Sequence, residues 1–153
     1  QVIITTHSPL LVKQLFLNVN VRVFILKRED ENLKLLPVDR RILPYVSANE
    51  INYLAFDLPT EELHNELYGY LQEKCQKYYE NDLDDYLVSN GIKRTKKWRR
   101  EKDGQLMGIE YDVTLQTFIR NKIHHPENKT MQNSLYTHEE LKHSIDEIIK
   151  LLS

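Results

Sequence analysis

The spacing of apolar residues changes character near residue 40. Before that point, Val2-Ile3-Ile4 is a β-branched run of the kind found in buried parallel strands. Val21 to Lys27 and Leu33 to Val38 read as two further strands joined by the polar turn Arg28 to Asn32. Between them, Ser8 can cap and Pro9 can begin a short helix over Leu10 to Leu17. Beyond residue 40 the apolar period moves from two toward 3.6. Pro59-Thr60 opens a long helix with Leu63, Leu67, Tyr70, Leu71, Cys75 and Tyr78 on one stripe, and Ala55, Phe56 and Leu58 extend the core ahead of it. Thr114 caps a helix carrying Leu115, Phe118, Ile119 and Ile123, which Pro126 must end, because the residue before a proline is driven out of αR. Thr137-His138-Glu139-Glu140 is a capping box ahead of Leu141, Ile145, Ile148 and Leu152. The stretch 91–112 shows no period and is expected to be a loop. The pattern predicts a mainly α chain: three or four helices in a bundle over 44–153, behind a short α/β segment over 1–43, with Pro44 and Ser47-Ala48-Asn49 as the joint. A buried strand needs neighbours on both sides, so 1–43 is expected to be the remnant of a larger sheet domain.

Composition narrows the class. The chain has 153 residues, 41% of them hydrophobic, enough for a core, and no apolar run nears the roughly 20 residues that cross a bilayer. One cysteine, Cys75, excludes an internal disulfide, and there is neither a secretory leader nor a zinc-spaced Cys/His set. A cytoplasmic setting with no membrane partner and no bound metal is expected. Net charge is −2, but Lys93, Arg94, Lys96, Lys97, Arg99, Arg100 and Lys102 stand against only Glu101 and Asp103, so this stretch carries +5 and the remainder −7. Lys93, Arg94, Lys96, Lys97, Arg99 and Arg100, with Trp98 to stack a base, are therefore candidate RNA-binding residues. A solvated loop is the plainer reading.

The most informative string is Ile119-Arg120-Asn121-Lys122-Ile123-His124-His125-Pro126. Residues four apart share a helix face, pairing Arg120 with His124 and Asn121 with His125, and unwinding at Pro126 lets His125 turn toward Arg120. An imidazole, with an unperturbed pKa of ~6.5, can exchange protons with the 2′-hydroxyl and 5′-oxygen of RNA. A guanidinium offers paired donors to the charge that builds on the phosphate. Such chemistry needs no metal, and DNA lacks the hydroxyl it requires. A structural Arg120 with two histidines on the helix dipole is the competing reading.

Two resemblances follow from these strings. QVIITTHSPLL, residues 1–11, resembles the last core strand and switch-histidine loop of ABC-type ATPases of the OLD and RecF-like branch, which implies a γ-phosphate role for His7 and a need for ATP and Mg in the parent protein. The phosphate-cradling G-x-x-x-x-G-K-[ST] loop is absent from this chain, so alone it is not expected to hydrolyse ATP. The Arg120 to His125 string matches the R-x4-6-H signature of HEPN domains, helical bundles that often act as metal-independent ribonucleases, and the resemblance covers about 44–153. It implies catalysis by Arg120 and His125, positioning by Asn121, an extra histidine at His124, and an acidic helper at Glu66 or Glu62. It implies no cofactor for the helical module, an RNA substrate such as tRNA, a homodimer, a second defence-system protein as partner, and a role as an anti-phage effector or toxin. The rival implication is a non-catalytic dimerisation or recruitment module.

The remaining polar residues have plainer readings. His64 and Tyr68, four apart, are expected to pack or pair on the long helix, and a metal site from His64, His124, His125 and a glutamate fits no known spacing. The tyrosines at 53, 68, 70, 78, 79 and 86 are expected to pack the bundle or a dimer face. Asn128-Lys129-Thr130 is a sequon that a cytoplasmic chain would not use, and His138 and His143 read as surface residues.

Overall fold

The computed structural model describes residues 2–16, 18–29, 31–37, 42–102 and 105–153. Leu17 and Val38, which close the expected first helix and second strand, lie outside the described residues, as does Gln1. The chain divides into Gln1–Thr60 and Glu61–Ser153. The joint expected near residue 43 falls within the first of these.

In the first unit, helix α1 (Pro9–Phe16) begins where the Ser8 hydroxyl accepts from Leu11 N–H at 3.3 Å. Strands β1 (Phe24–Glu29) and β2 (Asn32–Pro37) form an antiparallel hairpin with Leu26 opposite Leu35. Helix α2 (Ala48–Phe56) is capped by Ser47 and stops at Asp57, whose φ is 56°. The run Val2 to Ile4 forms no strand, and Val2 and Ile3 are 86% and 84% exposed. An extended segment without a paired neighbour has no partners for its backbone amides, so β-branched composition alone does not make it a strand.

The second unit is a helical bundle with one hairpin laid on it. Helices α3 (Glu61–Cys75), α4 (Glu80–Ser89), α5 (Leu115–His124) and α6 (His138–Leu152) bury Leu63, Leu67, Leu71, Leu83, Leu87, Phe118, Ile119, Ile145 and Ile148. Each contributes roughly 1.5–3 kcal/mol by leaving water. α3 ends at Cys75, short of the expected Tyr78, because Gln76 adopts φ 56° and the amides of Gln76 and Lys77 bond back to Glu73 and Gln72 at 3.2 and 3.0 Å. This is a Schellman motif, in which the left-handed residue that usually is glycine is here a glutamine. Tyr78 is left exposed, and the buried positions that complete the stripe are His64 and Tyr68.

The basic stretch is not a loop. Strands β3 (Arg94–Lys102) and β4 (Gln105–Thr114) pair antiparallel, with Trp98 opposite Tyr111 and Lys97 opposite Asp112. Gly108, at φ 89°, lies in the irregular part of β4, where residues 108–110 stand against Arg99 alone, and its backbone adopts a conformation other residues resist. Trp98 is 2% exposed and packs edge-on against Phe118, their ring centres 6.0 Å apart, which fixes the hairpin to α5. The described molecule is thus mainly helical with two small antiparallel sheets, and among the described residues no helix is long and apolar enough to cross a membrane.

Candidate functional site at the end of helix α5

The site is aimed by the way α5 is held. Its N-cap, Thr114, accepts from Thr117 N–H at 3.3 Å, while Thr114 N–H and hydroxyl both donate to Asp84 Oδ1 of α4, at 2.9 and 2.8 Å. Arg94 Nε donates to the other Asp84 oxygen at 2.7 Å. Burial alone would raise the Asp84 carboxyl, but the Thr114 amide, Arg94 and the threonine hydroxyls outweigh it and hold the group below its ordinary value. A second thread runs from Tyr68 of α3, whose hydroxyl meets Thr117 Oγ1 at 3.3 Å. α4, the hairpin and α3 therefore fix the start of α5, and its other end projects the candidate residues.

At that end His125 N–H bonds to Asn121 C=O at 2.9 Å, and His125 leaves helical geometry at φ −127°, ψ 57°, one residue before Pro126. Asn121 is fully buried, and its Oδ1 accepts from Arg120 Nη1 at 3.1 Å. That bond draws the half-buried guanidinium against the helix. His124 lies one turn beyond Arg120, on the same face, and its Nε2 stands 2.6 Å from Asn65 Oδ1 of α3. Partial burial first, then the positive charges of Arg120 and His125, lower the His124 pKa. His125 turns its ring toward the hairpin: its Nδ1 donates to Glu127 at 3.3 Å and its centre lies 6.4 Å from that of Trp98.

The structure thus groups Arg120 and Asn121 with His124, and gives His125 partners in Glu127 and Trp98. Glu62 is exposed and Glu66 half-buried on α3, the helix that also supplies Asn65. Nothing in the linear sequence singles out Asn65, which lies 59 positions from its partner.

Two expectations about the basic stretch change. Trp98 is a core residue with no face open to stack a base. Five of the proposed RNA contacts are tied to carboxylates: Lys96 to Glu140, Lys97 and Arg99 to Glu110, Arg100 to Glu80, and Arg94 to Asp84 and Asp85. Exposed pairs of this kind are worth about 0–1 kcal/mol, so a phosphate can compete for the outer ones, Lys97, Arg99 and Arg100. Lys93 is exposed ahead of β3. An acidic recess of about 360 Å³, lined by Glu80, Asp84, Asp85, Arg94, Tyr111 and Asp112, backs this hairpin.

The other motifs resolve structurally. His64 Nε2 lies 2.9 Å from Ser144 Oγ in the core, and its ring stacks on Tyr68. Asn128 is buried, donating to Arg99 C=O at 2.8 Å and accepting from Met131 N–H at 3.1 Å. Among the described residues no three of His, Cys, Asp or Glu gather as a metal site. His7 is exposed just before α1, in the first unit. No protein-family model, curated protein or solved structure matches this chain.

Proposed function

We propose that the second unit is a HEPN-like, metal-independent endoribonuclease module and that the chain is the C-terminal part of an ABC-type ATPase acting in phage defence. The observation that carries this reading is the set at the end of α5: Arg120 held by the buried Asn121, His124 exposed on the same face, and His125 exposed at the helix end. In the reaction, one imidazole takes the 2′-hydroxyl proton as the P–O2′ bond forms. The P–O5′ bond breaks, and the second histidine, as imidazolium, gives its proton to the departing 5′-oxygen. The guanidinium stabilises the charge on the non-bridging oxygens. The products are a 2′,3′-cyclic phosphate and a 5′-hydroxyl.

The rest of the proposal concerns the whole protein: tRNA as substrate, a cytoplasmic homodimer, a second defence-system partner, and ATP with Mg at a head domain where His7 reads the γ-phosphate. A scaffold role for the module is the second reading, favoured by the ion pairs that occupy the hairpin cations and by the Glu127 contact of His125. The two separate on one experiment. The nuclease reading requires tRNA cleavage that survives EDTA and is lost in Arg120→Ala; a folded chain without such cleavage leaves only the scaffold.

A further inference from the structure

We propose that Asn65 is a positioning residue that fixes the His124 ring in one tautomer and makes His124 the proton acceptor of the site; this rests on the ribonuclease reading above. An amide oxygen can only accept, so the 2.6 Å contact between His124 Nε2 and Asn65 Oδ1 places the hydrogen on Nε2. In the neutral ring Nδ1 then carries the lone pair, and the side chain is exposed, so that atom can accept the 2′-hydroxyl proton. His125 is held the opposite way: Glu127 Oε1 accepts from Nδ1, which leaves Nε2 as the nitrogen to deliver a proton to the 5′-oxygen. Adjacent histidines thus present different nitrogens, one suited to take a proton and one to give it.

The charges around His124 favour the acceptor role. Arg120 and His125, on its own helix, both act against the imidazolium, while opposite it α3 presents a neutral amide. Glu61 and Glu62 lie on the Asn65 side of α3, and Glu61 accepts the Tyr136 hydroxyl. Asn65 is itself exposed, so replacing it leaves the core intact.

The test combines ring tautomers with rate profiles in the full chain. In long-range proton–nitrogen spectra of the histidine rings, His124 should be the Nε2–H form in the native chain and a mixture in Asn65→Ala. With tRNA as substrate, Asn65→Ala should lower kcat by about tenfold with KM little changed, against about 100-fold or more for His124→Ala. Asn65→Asp places a carboxylate against the ring, stabilises the imidazolium, and should move the rising limb of the kcat–pH profile to higher pH. An unchanged His124 tautomer in Asn65→Ala, or an unmoved limb in Asn65→Asp, overturns the assignment. If the native chain cleaves no RNA, the ribonuclease reading fails instead, and the tautomer measurement still decides what Asn65 does to the ring.

Discussion

Burial of His64 makes a sharp prediction about acid stability. The ring lies wholly inside the second unit, bonded through Nε2 to Ser144, and desolvation pushes its pKa down to about 3. Its Nδ1 has no partner among the described residues, and leaving an acceptor bare costs less than leaving a donor bare, so the folded ring is neutral with its hydrogen on Nε2. The unfolded ring protonates below about 6.5, the folded one only near 3, so stability is lost as pH falls through that window. At 1.36 kcal/mol per unit of difference, the loss from this group between pH 7.5 and 5.0 is about 2 kcal/mol. His64→Gln can keep a bond to Ser144 without the titration. Denaturant unfolding followed by the fluorescence of Trp98, the single tryptophan and a core residue of the same unit, reads the effect. The stability difference between native and variant should shift by about 2 kcal/mol between the two pH values, in favour of the variant at pH 5.0. A difference that is the same at both pH values would refute the argument.

Three other outcomes follow from the same structure. Asp84→Asn weakens both the α5 cap and the Arg94 pair, and should destabilise the second unit by about 2–3 kcal/mol at neutral pH; the native contribution of Asp84 disappears as pH falls below about 4, through its depressed folded value, so native and variant should converge there. Gln76→Gly relieves a left-handed residue at the end of α3 and should raise the denaturation midpoint, with a gain of about 1 kcal/mol. Converting Lys97 and Arg99 to Gln should flatten the salt dependence of RNA affinity if phosphates displace Glu110 from them, and leave it unchanged if they do not.

The helices of the second unit were largely legible because their signals are local. Thr114 and Pro126 bound α5, and the Thr137 capping box, with Glu140 bonding back to Thr137, begins α6 as the pattern implies. The hairpin was hidden because β3 is almost uniformly charged: among its described side chains Trp98 alone is fully buried, and the carboxylates that face its cations come from β4, α4 and α6. A usable signal did exist in β4, where Met107, Ile109, Tyr111 and Val113 alternate with polar or small residues. In α4 the acidic run masks Leu83 and Leu87, whose spacing of four marks the buried face, although Glu80 and Asp82 suit a helix N-terminus. Within the site, the Arg120 to His125 string and the face that Arg120 shares with His124 could be read from helical spacing, but the partner that holds the His124 ring, Asn65, lies 59 positions away, a contact no local pattern encodes.

The most direct measurement of the central claim is cleavage of paired RNA substrates that differ only in the 2′-hydroxyl at the cut site, in EDTA. The account predicts that the hydroxyl-bearing strand yields a 2′,3′-cyclic phosphate and a 5′-hydroxyl, that its 2′-deoxy counterpart stays whole, and that Arg120→Ala abolishes the reaction. Cutting of both strands alike, or cutting that stops in chelator, would contradict it.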